Sequence, residues 1–337
     1  MKREPWRPEN LTARLPFLRR RALLTAATRS FFNARGYTEV DTPCAVRAPG
    51  EEVHLRTFAT EFRTTQGTPV RLWLQTSPEF AMKRLLAGGA GPIFQLARVW
   101  RNEEGSATHA PEFTMLEWYR PTATLAALMD ETESLLRAVL PPTITCRGIT
   151  TDLSRFERLT VADAFARYTG ADILATEGDA SALAQAAGAT LRDGETWEDL
   201  FFRLLLERIE PNLGRDHPTF LTHFPASQAA LARRDDTDPR VALRFEIFAC
   251  GLELANAFEE LTDAAEQRAR FIADRQRRHA LYGNDWPLDE DFLQAVAALP
   301  PCAGIALGFD RLAMLAAGAD SIEQVLWLPG VADPIYR

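Results

Sequence analysis

The sequence is poor in the residues that build disulfide frameworks or zinc sites. Its 337 residues include four cysteines, which lie far apart and form no Cys-x-x-Cys pair, and five histidines without zinc-ligand spacing. We therefore predict that Cys44, Cys146, Cys250 and Cys302 are reduced thiols, as is usual in a cytosolic protein.

Long apolar runs are also absent. No segment approaches the roughly 20 consecutive apolar residues that span a bilayer. The first ten residues are polar and contain two prolines, so they lack the apolar core of a signal peptide. The sequence thus predicts a cytoplasmic protein that has no membrane partner.

Lysine is almost missing, because only Lys2 and Lys83 among the 38 basic residues are lysine. We interpret this scarcity as a compositional bias of the genome. The formal net charge is −8, which argues against a large nucleic-acid surface, since such a surface is basic. A stable complex with tRNA is therefore not expected.

The sequence also lacks the G-x-G-x-x-G and Walker A motifs, so Rossmann and P-loop nucleotide binding are not supported. Strand-like segments follow one another, whereas helix-like segments are segregated. The period-two segments are Val70–Gln75, Ile93–Arg101, Phe113–Tyr119 and Arg244–Phe258, and the helical segments are Leu15–Arg35, Val161–Tyr168, Ala180–Ala187 and Trp197–Glu207. This order predicts an α+β fold, with an antiparallel sheet flanked by helices.

A hairpin in the first third of the chain carries an unusual mixture of side chains. Strand geometry places Arg101 and Glu103 on one face, and Phe113, Glu117 and Tyr119 likewise share a face. Burying such groups without a ligand is costly. The mixture suits a nucleotide, with a guanidinium on a phosphate and an aromatic ring under the base. A solvated hairpin with surface ion pairs is the alternative.

A second hairpin is predicted around the segment Ala249–Gly251. A tight turn there sets Glu246 directly opposite Glu253. Opposed carboxylates repel each other, so a divalent cation that bridges to phosphate is a good candidate for offsetting the repulsion. The alternative is a strand register in which the two carboxylates never meet.

The segment Ala303–Leu312 reads as a strand, a glycine turn and the start of a helix. Its glycines allow close backbone approach, and Arg311 is placed where it could meet an anion. Taken alone the signal is weak, because Gly-Asp-Arg clusters are common in loops.

The three segments together resemble class II aminoacyl-tRNA synthetases. Arg35–Pro43 is similar to motif 1, Arg101–Tyr119 to motif 2 and Gly304–Leu312 to motif 3, and the resemblance runs from about Phe17 to Leu328. The detail is that of the lysyl branch, in Thr76–Glu79, Pro111–Met115 and Glu253–Asn256. The resemblance implies the catalytic domain of this class and an ATP-dependent aminoacyl ligase.

Only about 35 residues precede motif 1, which leaves no room for an anticodon-binding barrel. We therefore expect a single catalytic domain over residues 1–337. This truncated form, with Glu117–Pro121 and Thr222–Gln228, resembles the family of elongation factor P–(R)-β-lysine ligases. The resemblance implies a homodimer that adenylates (R)-β-lysine or lysine and transfers it to a lysine side chain of elongation factor P.

The resemblance also implies residue roles. Arg101 and Arg311 are the expected catalytic residues, and Glu246 and Glu253 the expected Mg²⁺ ligands. The expected ATP-binding residues are Arg101, Asn102, Glu103, His109, Phe113, Glu253, Leu254, Gly308 and Arg311, and the expected substrate-binding residues are Ser77, Pro78, Glu79, Tyr119, Glu260 and Ala306. Ala306 replaces the glycine usual in lysyl-tRNA synthetases, which is consistent with a β-amino acid.

The chain departs from the family pattern at three positions. Ala107 and Ala110 stand where the family usually has Arg and Asn, and Ala257 stands where Gly is usual. Two alternatives therefore stay open. One is a catalytically inactive paralogue that acts as a binding or regulatory subunit, and the other is a lysine-activating enzyme with a different acceptor.

Overall fold

The structure is a computed structural model that describes residues 4–229, 231–283 and 286–329. Its α-helices in those residues are α1 (Pro8–Asn33), α2 (Glu79–Ala87), α3 (Leu125–Val139), α4 (Val161–Thr169), α5 (Ala180–Ala186), α6 (Trp197–Leu204), α7 (Ala264–Tyr282), α8 (Glu290–Ala297), α9 (Phe309–Ala317) and α10 (Ile322–Val325). Its strands are β1 (Thr38–Glu39), β2 (Ala45–Val46), β3 (Ala59–Arg63), β4 (Pro69–Leu74), β5 (Ile93–Trp100), β6 (Glu112–Pro121), β7 (Thr143–Cys146), β8 (Ile149–Asp152), β9 (Glu157–Thr160), β10 (Thr219–Pro225), β11 (Val241–Ala249), β12 (Leu252–Glu259) and β13 (Cys302–Gly308).

The chain divides into two compact units. Unit 1 comprises the described residues up to Thr124 and from Glu260 onward, and unit 2 comprises Leu125–Glu259. No helix of the described residues has the length and apolarity that a membrane span requires. All four cysteines are free thiols, as predicted.

Unit 1 is built on four strands in the order β1-β5-β6-β13. The pairs β5–β6 and β6–β13 are antiparallel, whereas the short β1 runs parallel to β5. A smaller antiparallel sheet has the order β2-β4-β3. Helix α1 packs on unit 1 through Phe32, whose ring stacks on that of Phe94 with centroids 4.7 Å apart. Apolar side chains from α1 and β5 therefore form part of one core.

Unit 2 carries strands in the order β12-β11-β10-β9, with β9 parallel to β10 and the other pairs antiparallel. Helices α4 to α6 cover a core that includes Phe165, Phe201 and Leu204. Helix α6 ends at Leu204 and continues as a π-helical turn, Leu205–Ile209. The predicted α+β fold with a mostly antiparallel sheet and segregated helices is confirmed.

Two details of the predicted strand geometry are wrong. In the β11–β12 hairpin Glu246 pairs with Asn256, and Glu253 pairs with Phe248, because a β-bulge shifts the register after Ile247. Glu246 and Glu253 are therefore not directly opposed. A bulge inserts one unpaired residue, and the sequence pattern gave no sign of it.

The predicted strand Ile93–Arg101 also stops one residue earlier, at Trp100. Glu103 lies beyond it in a left-handed conformation, with φ of 65°. Strand alternation therefore does not govern Arg101 and Glu103, and the argument that put them on one face is wrong.

A buried ion pair fixes α9 to the rest of unit 1. Arg21 of α1 pairs with Asp310, and the two side chains are only 7% and 1% exposed. The other carboxylate oxygen of Asp310 accepts a hydrogen bond from the backbone N–H of Thr114 at 3.0 Å. The pair thus ties the start of α9, which carries Arg311, to strand β6.

We expect the substitution Arg21→Met to lower the free energy of unfolding by about 3–5 kcal/mol, because it leaves Asp310 buried without its cation. The matched control is Arg29→Met on the same helix. Arg29 pairs with Glu39 at the surface, where side-chain exposures are 48% and 36%, so its loss should cost less than about 1 kcal/mol. Urea denaturation of both variants measures the difference, and equal losses would contradict the assigned role.

Candidate active site

One face of the unit 1 sheet carries Tyr119 and Ala306, two of the predicted substrate residues. The strand register places Glu117 of β6 between Gln95 of β5 and Ala306 of β13. Tyr119 lies opposite Gly304 in the same way. Because directly opposed residues share a face of the sheet, these side chains project from one surface. The predicted common face of Phe113, Glu117 and Tyr119 on β6 follows from the same strand geometry.

Gly304 makes room for the ring of Tyr119. A Cβ atom at position 304 would lie 2.1 Å from a ring carbon of Tyr119 and 2.8 Å from Oε1 of Glu260. Any side chain there would displace one of the two groups. The glycine therefore lets the phenol and the carboxylate lie close together on this face.

A buried lysine joins two of the predicted substrate residues. Lys83 lies one helical turn after Glu79 on α2, and its Nζ is 2.6 Å from Glu79 Oε1 and 2.5 Å from Glu260 Oε2. The three residues are only 2%, 8% and 2% exposed. Two carboxylates from distant parts of the sequence thus converge on one ammonium group.

Glu117 belongs to the same cluster. Ser77 Oγ donates a hydrogen bond to Glu117 Oε1 at 2.5 Å and accepts one from the backbone N–H of Glu79 at 3.0 Å. Pro78 lies between them as the N-cap of α2. Within the described residues, Glu117 Oε2 and Glu260 Oε1 are buried without a hydrogen-bond partner. Buried acceptors of this kind are satisfied by ordered water or by a ligand that donates hydrogen bonds.

The buried cluster has more carboxylates than cations, and this imbalance affects the pKa of several of its groups. Burial, followed by the neighbouring Glu79, raises the pKa of Glu117 well above its ordinary value. Burial also raises the pKa of Glu260 to about 8, although Lys83 opposes the shift. Burial would lower the pKa of Lys83, but Glu260 and Glu79 outweigh it and raise that pKa. Burial and the three carboxylates likewise raise the pKa of Tyr119.

The charge of the cluster follows from its carboxylates and its one lysine. Glu52 adds a further carboxylate that interacts electrostatically with Glu79 and Glu117. Glu79 and Glu260 contact the ammonium group of Lys83, and Glu117 interacts with it electrostatically. When their three carboxylates are ionised, the group formed by these three glutamates and Lys83 carries a net charge of −2. A ligand that brings two positive charges would neutralise it. Hydrogen-bond donors on that ligand would also satisfy the two orphaned oxygens.

The predicted nucleotide side of unit 1 centres on Arg101. Its guanidinium carbon lies 5.3 Å from the ring centroid of Phe113. Its Nε has no hydrogen-bond partner among the described residues, and its NH1 is 3.8 Å from Glu104 Oε1. Asn102 Oδ1 accepts the N–H of Glu103 at 3.0 Å. An incompletely bound guanidinium beside an aromatic ring is chemically suited to a phosphate and a base.

The loop between β5 and β6 is held against the motif 3 arginine. Arg311 donates through NH2 to Nε2 of His109 and through Nε to the carbonyl of Thr108, the latter at 3.3 Å. His109 Nδ1 lies 2.8 Å from Ser106 Oγ. Gly308 ends β13 and caps α9 just before Arg311. The structure thus brings His109 and Arg311 together, with Nε2 of the imidazole accepting a hydrogen bond from the guanidinium.

We expect the imidazole of His109 to stay neutral until the pH falls to about 4. Burial, Arg311 and Arg101, in that order, lower the pKa of His109 to about 4, because each disfavours a positive ring. NMR titration of the histidine ring protons measures this value. In the variant Arg311→Met the pKa should rise toward the ordinary value of about 6.5. A wild-type pKa near that ordinary value would contradict the described contact.

The predicted metal ligands lie in unit 2. Glu246 is buried and pairs with Arg244 NH2 at 2.6 Å. Burial raises the pKa of Glu246 to about 8, Arg244 lowers it, and Glu253 raises it again, so the two carboxylates interact despite the shifted register. Leu254, also predicted to contact ATP, is buried in β12.

The described residues include no cluster of three or more metal-ligating side chains. Mg²⁺ commonly takes only one or two carboxylates together with substrate phosphates. The pair Glu246 and Glu253 fits that donor set, because a cation would offset the burial and the repulsion by Glu253 that raise the pKa of Glu246.

The sequence prediction missed Lys83 and did not assign Glu117 a role in binding. Both could have been found. Lys83 lies four residues after Glu79, the spacing at which an acid and a lysine face each other on a helix, and it is one of two lysines in the chain. Glu117 shares the strand face of Tyr119. Their burial in one cluster depends on tertiary contacts that no local pattern reports.

Comparisons with known proteins agree with this arrangement. Residues 11–332 match the family model described as tRNA synthetases class II (D, K and N). The chain is 44% identical over 331 residues to the elongation factor P–(R)-β-lysine ligase of Hamiltonella defensa subsp. Acyrthosiphon pisum (strain 5AT), over 96% of this chain and 97% of that protein. It is 45% identical over 330 residues to the ligase of the same name from Salmonella dublin, over 95% and 96% of the two chains.

Proposed function

The chain belongs to the class II tRNA synthetase family, in the group of the elongation factor P–(R)-β-lysine ligases, and from this premise we propose its reaction. The protein adenylates (R)-β-lysine with ATP and transfers it to a lysine side chain of elongation factor P. The observation that carries the substrate class is the buried cluster in which Glu79 and Glu260 contact Lys83 and Glu117 interacts with it electrostatically.

We propose that the cluster recognises the two ammonium groups of the substrate. Glu79, Tyr119 and Glu260 receive them, and Ser77 holds Glu117 in place for a further contact. Pro78 and Ala306 shape the wall around the ligand. A neutral side chain would leave buried carboxylates unpaired, which costs several kcal/mol. The pocket therefore selects a diamino acid.

We propose that unit 1 also binds ATP. Arg101 holds the α-phosphate and the substrate carboxylate, Phe113 stacks on adenine, and Arg311 meets the γ-phosphate. The other residues of unit 1 that we propose to contact ATP are Asn102, Glu103, His109 and Gly308. The unpartnered Nε of Arg101 and its place beside Phe113 support the first two assignments.

In unit 2 we propose that Glu246 and Glu253 hold Mg²⁺, and that Glu253 and Leu254 are nucleotide contacts. The donor chemistry of the two carboxylates suits this hard cation. When bound, Mg²⁺ supplies neutralisation of phosphate charge.

The proposed reaction has two steps, and neither needs a protein nucleophile. The substrate carboxylate attacks the α-phosphorus of ATP, so that a new P–O bond forms, the bond to the β-phosphate oxygen breaks and pyrophosphate leaves. Arg101 and Arg311 stabilise the developing charge, so catalysis is mainly positioning and electrostatics. The neutral amine of the acceptor lysine then attacks the acyl carbon, an amide forms, and AMP and a proton leave.

We further propose that the protein acts in the cytoplasm as a C2 homodimer, with the motif 1 segment at the interface. The net charge of −8 supports the proposal that no stable tRNA complex forms.

The experiment that tests the acceptor is incubation of elongation factor P with the protein, ATP and (R)-β-lysine, followed by mass spectrometry. We expect a mass increase of one lysyl residue on a single lysine of the factor. Omission of ATP should abolish it. An adenylate that forms but never reaches elongation factor P would favour a different acceptor, and no adenylate at all would favour the inactive paralogue.

We expect the parent protein to activate β-lysine better than α-lysine, and the substitution Ala306→Gly to shift the preference toward α-lysine. Ala306 lies opposite Glu117 on the pocket face, so its methyl group narrows the space beside the bound backbone. One methyl group typically changes selectivity by about 1–3 kcal/mol. The measurement is kcat/KM for both isomers with both proteins. A parent that prefers α-lysine, with no change of ratio in the variant, would contradict the β-lysine assignment.

A further inference from the structure

The most completely buried cation of the candidate pocket is a lysine in a chain that otherwise uses arginine. Lys83 is the one lysine among the described residues, and 36 of the 38 basic residues of the whole sequence are arginine by subtraction of the two lysines. Position 83 therefore holds a lysine against the strong compositional bias of the chain toward arginine.

The contacts of Lys83 explain why an arginine would not serve. Its ammonium group is a compact point charge, and it reaches Glu79 Oε1 at 2.6 Å and Glu260 Oε2 at 2.5 Å from a side chain that is 3% exposed. A guanidinium is larger, planar and fixed in its donor directions. Two carboxylates that converge on a single point suit an ammonium ion better.

The position of Lys83 also differs from that of an ordinary structural ion pair. The carboxylates it binds are the ones proposed to bind the substrate's amino groups, and Oε1 of Glu260 is left without a hydrogen-bond partner among the described residues. Glu117 Oε2, in the same cluster, is likewise unpartnered. The cluster therefore has one resident ammonium group and unsatisfied acceptors for more.

We propose that Lys83 is a positioning and specificity residue, a resident ammonium group that orients Glu79 and Glu260 and offsets part of the negative charge that the carboxylates of the pocket carry when they are ionised. The inference rests on the proposed function and deepens it. With Lys83 in place, the pocket accepts a ligand with two further ammonium groups. Without it, Glu79 and Glu260 repel each other, turn apart or take up a proton, and the ammonium sites of the substrate are lost.

The test is chemical rescue of the variant Lys83→Ala. This substitution removes the equivalent of a propylammonium group, so propylammonium ion is the probe. We expect the KM for β-lysine in pyrophosphate exchange to rise by about 30-fold or more, as for removal of one partner of a buried charge pair. The KM for ATP should change by less than about 3-fold. Propylammonium should then recover about 10-fold of the lost kcat/KM, whereas 1-propanol, its neutral analogue, should recover none.

Two further variants separate positioning from folding. Lys83→Met keeps most of the side-chain volume without the charge, so the KM should rise without any rescue by propylammonium, and this variant serves if Lys83→Ala is too unstable to purify. Arg203→Met is the matched control, because Arg203 is 13% exposed and pairs with Glu195 at 2.6 Å in unit 2. It should lose stability but keep the KM for β-lysine.

The outcomes decide between the alternatives. A KM for β-lysine in Lys83→Ala within about 3-fold of wild type would overturn the inference. Equal rescue by propylammonium and 1-propanol would also overturn it, because Lys83 would then only fill space. If the wild-type protein activates neither lysine isomer, the proposed function fails. The inference on Lys83 is then tested by the unfolding temperature of the two proteins. Propylammonium should raise the unfolding temperature of Lys83→Ala and leave that of the wild type unchanged. Equal responses of the two proteins would overturn the inference.

Discussion

The substitution Glu260→Gln is expected to lower kcat/KM for the activation of β-lysine by about 10³-fold, equivalent to roughly 4 kcal/mol. Glutamine keeps the volume of Glu260 but removes its charge. Glu260 is buried, lies 2.5 Å from Lys83 Nζ and has an orphaned Oε1. The variant would therefore leave both the substrate ammonium group and Lys83 short of a counter-charge in a place that water does not reach.

The neighbouring residue offers a matched control for this prediction. Glu259 is bound by Arg233 at 2.7 Å and by the backbone N–H of Leu125 at 2.8 Å, all within unit 2. Glu259→Gln removes the same charge one position away, and we expect kcat/KM to stay within about 3-fold of wild type. The binding of ATP should be unchanged in both variants. Equal losses in the two would mean that Glu260 acts only on the fold.

The substitution Arg101→Ala is expected to lower the rate of adenylate formation by about 10²–10³-fold, the usual effect of losing one preorganised donor to a developing negative charge. The guanidinium lies beside the Phe113 ring, and its Nε has no partner among the described residues. Its donors are thus available for the α-phosphate and the substrate carboxylate. Single-turnover formation of the adenylate measures the rate directly.

Arg98→Ala on strand β5 is the control for Arg101→Ala. Arg98 is 47% exposed and lies 4.0 Å from Glu112 across the same hairpin, so its removal should change the rate by less than about 3-fold. A rate for Arg101→Ala close to that of Arg98→Ala would contradict the role assigned to Arg101.

The sequence was enough to predict the class of fold, because strand and helix periodicities are local. Segments Phe113–Tyr119 and Val161–Tyr168 became β6 and α4 within two residues of the predicted bounds. The bulge in the β11–β12 hairpin, where the register shifts between Ile247 and Phe248, was not predicted, since strand alternation alone does not encode an inserted residue. The parallel pairing of β1 with β5 was missed for a similar reason, because β1 has two residues.

The residues of the candidate site were predicted one by one from motif resemblance. The structure adds the side-chain contacts between those residues. Glu79 and Glu260 are far apart in the sequence, and only the tertiary fold shows that Lys83 lies between them. The contact of His109 with Arg311 likewise depends on how the loop after β5 packs on α9. Contacts of this kind come from long-range packing, which single-residue patterns do not report.

The most direct test of the account is pyrophosphate exchange in the presence of ATP, with (R)-β-lysine, α-lysine and norleucine supplied in separate reactions. We predict exchange with β-lysine, weaker exchange with α-lysine and none above background with norleucine, because a neutral side chain leaves a carboxylate of the Lys83 cluster unpaired. Exchange with norleucine as fast as with β-lysine, or exchange with none of the three while ATP still binds, would contradict it.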